Sequence, residues 1–148
     1  NWRNLMDSRY REVTFPAMVE LADIIKLSDE DLRQIYPGLS EEQALQQLRE
    51  MNANAQVLFT RGADGMVLFT LGSKVEQAAI AVEVADTVGA GDASMAGWLA
   101  SGLLGIEAAQ ARLAFSAACA SVSCANAGAY APNREEVEQL LARSGGSR

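Results

Sequence analysis

The residues best equipped for chemistry lie together in Asp86-Thr87-Val88-Gly89-Ala90-Gly91-Asp92. Two glycines and an alanine leave the backbone bare, so a ligand can approach it closely. A helix-like run, Ala93 to Leu104, follows at once. The free amides at the start of such a helix point back at the turn, and that end carries roughly half a positive charge. Together these make an anion site suited to a phosphate. A carboxylate beside a phosphate is electrostatically unwelcome. Asp92 makes sense there if it accepts a proton from an attacking hydroxyl, the base's part in phosphoryl transfer. On these residues alone a plainer reading stays open, since an Asp at a helix start is a favourable cap and glycines before helices are common.

The elements that must hold this turn can be read from hydrophobic spacing. Phe15, Met18, Val19 and Leu21 predict a short helix, and residues 23–28 a buried strand ending at Ser28. Ser28 is a candidate cap for a short helix over 29–36, which Pro37-Gly38 ends. Ser40 with Gln43 gives a capping-box pattern for a helix running to about Met51. Residues 56–60 and 66–71 read as two strands joined by a five-residue loop, Arg61 to Gly65. Residues 75–84 read as one or two short strands, and Glu107 to about Cys124 as an alanine-dense helix. Asn133 caps a final amphipathic helix to about Ala142, with Val137, Leu140 and Leu141 on one face. Strands alternating with helices predict an α/β layered fold.

Composition narrows the function classes. The 148 residues are 49 % hydrophobic and 21 % charged, enough to bury one domain's core. With 12 Lys and Arg against 19 Asp and Glu, a net charge of -7, no basic face for nucleic acid is expected. ATP remains compatible, because backbone amides and bound Mg²⁺ set the field at a phosphate site. The absence of histidine removes Ser-His-Asp and Cys-His catalysis and His-containing zinc sites. Cys119 and Cys124 would lie about 140° apart around a helix and read as small core residues. With no disulfide framework, a reducing cytoplasm is the default location. No signal peptide is read at the start. The uncharged stretch between Arg112 and Arg134 is long enough to span a membrane. It is mostly Ala, Ser, Cys, Asn and Gly, so it reads as a tightly packed helix and loop, without a membrane role.

Asp86 to Leu103, DTVGAGDASMAGWLASGL, closely resembles the second signature of the ribokinase-like, or PfkB, family of sugar kinases. The resemblance implies a three-layer α/β/α sandwich, of which residues 1–148 are the C-terminal nucleotide-binding and catalytic part. It makes Asp92 the base that deprotonates the sugar hydroxyl, and the amides of Gly89, Ala90 and Gly91 the anion hole. Asp86, with the backbone near Val88, would lie where some members bind a monovalent cation, so K⁺ joins ATP and Mg²⁺ as an implied cofactor. Thr60-Arg61-Gly62-Ala63-Asp64-Gly65 resembles the family's T-x-G-x-x-G turn, which puts Thr60, Gly62 and Gly65 beside the nucleotide phosphates. Taken alone it is a hairpin loop. Residues 26–31 resemble the N-x-x-E motif that organises Mg²⁺, with Ser28 for Asn and Asp31 for Glu. The serine resembles fructokinase-like members. So does Cys124 to Pro132, whose Gly128 and Ala129 would border the adenine. Asn1 and Arg3 resemble the tail of a D-x-N-x-R motif near the sugar, whose Asp would precede the first residue.

The expected activity is transfer of the γ-phosphate of ATP to a sugar hydroxyl, with fructose the leading acceptor. Alternatives are a nucleotide-binding fragment without turnover and a kinase for another hydroxyl substrate, such as a nucleoside. A homodimer is implied for the full-length family form. A dinucleotide-binding oxidoreductase fits poorly, because T-x-G-x-x-G here leads into a strand where the dinucleotide motif must open a helix. A P-loop NTPase lacks its G-x-x-x-x-G-K-[ST] motif.

Overall fold

A computed structural model describes residues 7–145. A π-helical turn, Tyr10–Thr14, runs into α1, Phe15–Leu21, with Pro16 just past the junction. β1, Ile24–Ser28, passes directly into α2, Asp29–Ile35. Ser28 caps that helix: its Oγ accepts the Asp31 N–H at 3.1 Å, while Asp31 Oδ2 accepts the Ser28 N–H at 2.9 Å. Ser40 and Gln43 repeat the arrangement at the start of α3, Glu41–Met51. These reciprocal caps satisfy amides that each helix start would leave unpaired.

β2, Gln56–Thr60, and β3, Met66–Thr70, form a hairpin whose loop is a 3₁₀ turn at Gly62–Asp64. β4 is Ser73–Gln77. The sheet order is β1-β2-β3-β4, parallel between β1 and β2 and antiparallel elsewhere. α4, Ala90–Leu103, α5, Ala109–Cys124, and α6, Arg134–Gly145, follow the sheet.

Strand alternation sorts the core into layers. Leu27, Val57 and Phe59 face α1, α2 and α3, meeting Val19, Leu32, Ile35 and Leu48. Leu58, Met66 and Leu68 face the other way and meet Trp98, Leu113 and Ala117 of α4 and α5. Val137 of α6 closes against Phe115, Cys119 and Val122 on the far side of α5.

The α4–α5 contact is built from small residues. A Cβ on Gly97 would lie 2.8 Å from Cys119 Sγ and 3.0 Å from Ser116 Cα. The buried serines there have partners: Ser116 Oγ donates to the Ser94 carbonyl at 2.6 Å, and Ser101 Oγ to the Trp98 carbonyl at 2.7 Å. The Arg112 guanidinium stacks 4.0 Å over the Trp98 ring and donates to the Trp98 carbonyl at 3.1 Å. The helical part of the uncharged stretch therefore packs inside the protein, while its loop from Ala125 to Asn133 runs along the surface. No helix of the described residues is long and apolar enough to cross a membrane.

Several boundaries differ from the sequence reading. α4 begins at Ala90 rather than Ala93, because Gly89 makes the turn itself with φ +82° and serves as N-cap. Asp92 is therefore the third residue inside the helix. α5 begins at Ala109 rather than Glu107, and β3 ends at Thr70 rather than Leu71. Only Ser73–Gln77 pairs as a strand, and residues 78–84 are irregular. That segment is tied down instead by Ser121 Oγ, which donates to the Ile80 carbonyl at 2.9 Å. α6 runs past Ala142 to Gly145.

Candidate active site

The turn before α4 is fixed from both sides. Asp86 Oδ1 accepts the Val88 N–H and its Oδ2 accepts the Gly128 N–H, each at 3.0 Å. The Val88 amide, then the Gly128 amide, hold the Asp86 carboxyl below the usual carboxylate range. The Cys124 carbonyl accepts the Ala85 and Asp86 amides at 2.8 and 3.2 Å. The start of α4 is thus stapled to the loop that follows α5. Ala129 lies against the turn, since a Cβ on Gly89 would be 3.3 Å from Ala129 Cα. Left-handed φ calls for glycine there, and the close approach leaves a side chain little room.

The Gly89 carbonyl accepts the Ala93 N–H at 2.8 Å, the first bond of the helix. The Ala90 amide makes a long bond of 3.3 Å to the Thr87 carbonyl. Gly91 and Asp92 lie in the first turn of α4, where amides have no carbonyl four residues back inside the helix. Their amides and the helix dipole give this end the polarity an anion needs.

Two cavities meet at the turn. One, of about 720 Å³, is bounded by Lys26, Asp31, Thr60, the Gly62–Gly65 loop, residues 79–84, Ala90, Gly91 and the C-terminal half of α5. It brings together Asp31, Thr60, Gly62, Gly65, Ala90 and Gly91 as candidate site residues. The hairpin loop on its rim is held by the Arg61 N–H to the Gly65 carbonyl at 2.8 Å, and a side chain at Gly65 would strike the Gln77 carbonyl. The other, of about 610 Å³, lies along α4 and α6 and is bordered by Gly89, Asp92 and Ala129. Asp92 is exposed. Asp86 and Gly128 border neither cavity and act between the loops. Asn1 and Arg3 lie outside the described residues.

Asp31 borders the large cavity, as do Asp29 and Glu30, while one of its oxygens caps α2. No group of three or more His, Cys, Asp or Glu poised to hold a metal occurs among the described residues. A Mg²⁺ held mainly by substrate phosphates and water needs only one or two carboxylates, and Asp31 fits that pattern. Lys26, which the motif reading passed over, also reaches the turn. The visible signal was a charge in the middle of an apolar strand, Ile24-Ile25-Lys26-Leu27.

The chain resembles known proteins over nearly all of this framework. A family model described as pfkB family carbohydrate kinase matches residues 2–136. An Escherichia coli fructokinase is 36 % identical over 81 residues, 55 % of this chain and 26 % of the relative. A 1-phosphofructokinase of Haloferax volcanii is 39 % identical over 100 residues, 66 % of this chain and 32 % of the relative. The crystal structure of a Vibrio cholerae fructokinase in a form bound to fructose, ADP and calcium ion superposes with a TM-score of 0.77 at 27 % identity, covering 90 % of this chain and 45 % of that one. The chain thus spans about a quarter to a third of the length of these curated relatives. The layered α/β fold is the ribokinase-like one. The chain belongs to the pfkB family of carbohydrate kinases.

Proposed function

We propose that the chain is the C-terminal, nucleotide-binding and catalytic part of an ATP-dependent sugar kinase, with fructose as the leading acceptor. The observation that carries this reading is the placement of the α4 N-terminus between two cavities, with Gly91 on one and Asp92 on the other. ATP occupies the larger cavity, its phosphates running from the Thr60–Gly65 loop to the start of α4. The terminal phosphate then lies against the first-turn amides. Asp92 stands beyond it, exposed to the incoming hydroxyl, and takes that hydroxyl's proton as its oxygen attacks phosphorus. The amides stabilise the charge that gathers on the transferring group. Bound Mg²⁺ would neutralise phosphate charge, with Asp31 as its protein ligand. The role of Asp86 as a K⁺ ligand belongs to the same reading.

Fructose is supported by the fructokinases among the relatives and by Ser28 and the Cys124 to Pro132 loop. A cytoplasmic location accords with Cys119 and Cys124 both being free thiols. A homodimer in the longer form is part of the reading and is tested by sedimentation.

The decisive experiment is ATP-Mg²⁺ phosphorylation of a sugar panel, by this chain and by a form extended to the length of its relatives. Fructose phosphorylation is expected in the extended form. There, Asp92→Asn should cut turnover by about 10²–10⁴-fold, or roughly 3–5 kcal/mol of barrier, and leave ATP binding nearly intact. Near-normal turnover in that variant removes Asp92 as base. If neither form phosphorylates any sugar, the kinase reading fails and nucleotide binding without turnover replaces it.

A further inference from the structure

Lys26 sits on β1 opposite Leu58, on the face of the sheet that α4 and α5 cover. Its neighbours Ile25 and Leu27 point to the other face and pack with the α1–α3 core. Its side chain crosses to the start of α4, where a Cβ on Gly91 would lie only 2.6 Å from the Lys26 ammonium nitrogen. The ammonium fills the space that any larger residue at position 91 would take. An ammonium at a helix N-terminus is in the wrong place for the helix dipole, which favours cations at the opposite end. Lys26 forms no ion pair among the described residues, although Asp29, Glu30 and Asp31 border the same cavity.

Two positive sources, the ammonium and the helix amides, therefore converge beside Gly91. Both border the larger cavity, while Asp92 borders the other. Such an arrangement is stabilised by an anion seated between them. An ammonium adds what backbone amides lack, a full charge that can follow oxygen atoms as they move.

We propose that Lys26 binds the oxygens of the terminal phosphate of ATP and stabilises the transferring phosphoryl group, on the side of the turn opposite Asp92. The proposal rests on the kinase reading for its catalytic half and on nucleotide binding alone for the other.

The test uses Lys26→Met, which keeps the length of the side chain and removes its charge, and Lys26→Arg, which keeps the charge. Calorimetry on the protein with ATP-Mg²⁺ and with adenosine reads the phosphate contribution. Lys26→Met is expected to weaken ATP by roughly 10–100-fold, as for a lost charge-assisted hydrogen bond, and to leave adenosine unchanged. In the sugar-phosphorylating form it should lower kcat by about 10²–10³-fold, the usual loss for one transition-state donor, with the sugar KM unmoved. Lys26→Arg should recover part of both losses. Equal weakening of ATP and adenosine, or an unchanged kcat in an active protein, overturns the assignment. An unmodified protein that binds ATP yet phosphorylates no sugar defeats the kinase reading only, and the ATP-against-adenosine comparison still decides what Lys26 holds.

Discussion

Asp86 uses both carboxylate oxygens to join two loops, and it does so in its ionised form. The Val88 and Gly128 amides favour the charged state, so the carboxyl titrates lower in the folded protein than in the unfolded one. Stabilisation from such a group is fully present above the ordinary Asp value of about 4 and is lost as pH falls through the lower folded value. Asp86→Asn keeps the size of the side chain, but sets an NH₂ group against one of the two amides it must accept. The variant should melt lower than the parent at neutral pH, and the gap should narrow as pH falls below about 4. A gap that stays constant from neutral pH to about pH 3 would show that the charge of Asp86 does not hold these loops. Because Gly89 follows three residues later, loosening this staple should also disorder the turn that leads into Asp92 and that the Lys26 side chain reaches from β1.

At the scale of elements, the turn is only as firm as the α4–α5 pair beneath it. That pair meets through glycine, alanine, serine and cysteine, so its helices approach more closely than bulky side chains would permit. Gly97→Ala tests the closeness. The added methyl meets Cys119 and the Ser116 backbone within 3.0 Å, and backbone cannot swing aside as a side-chain tip can. Overpacking of this kind costs about 1–3 kcal/mol, against a gain of up to about 1 kcal/mol in helix propensity. A lower denaturant midpoint with an unchanged slope is expected, and an unchanged or higher midpoint would show that the helices separate freely. The existence of these elements was legible in sequence wherever a local rule governs. The Ser28 and Ser40 caps, the hairpin at Arg61 to Gly65 and the Asn133 cap rest on bonds spanning three or four residues. The errors fall where distant contacts decide. Gly-Ala-Gly reads as loop, yet Ala90 and Gly91 enter α4 because the turn at Gly89 is fixed by Asp86 and Ala129. Residues 78–84 read as strand but pair with none, and they are held by Ser121 from α5. Lys26 escaped the motif reading for the same reason, since its destination lies 65 residues along the chain.

The two edges of the sheet differ, and the difference bears on the whole molecule. β4 carries Ser73, Lys74 and Glu76, with Lys74 and Glu76 paired in solvent, the polar dress of a strand that ends a sheet. β1 is Ile24-Ile25-Lys26-Leu27-Ser28, and its one charge turns inward to α4. Half of its backbone groups bond to β2, and the rest point away from the sheet. Near-continuous apolar runs belong to strands covered on both sides. On α4, Leu99 and Leu103 are 46 % and 91 % exposed, apolar surface of the kind that awaits a neighbour. The fructokinase that superposes on this chain is covered over only 45 % of its length, so its fold includes further structure of comparable size. These facts together predict that β1 is an inner strand in a chain of family length. Hydrogen exchange reads this directly. In the present chain the β1 amides facing away from β2 should exchange quickly while those of β2 and β3 are protected. Extension to the length of the relatives should slow those β1 amides to the level of β2 and leave β4 as it was. Fast exchange of the outward β1 amides in the extended protein would mean that β1 is a true edge, and that the added structure joins the sheet elsewhere.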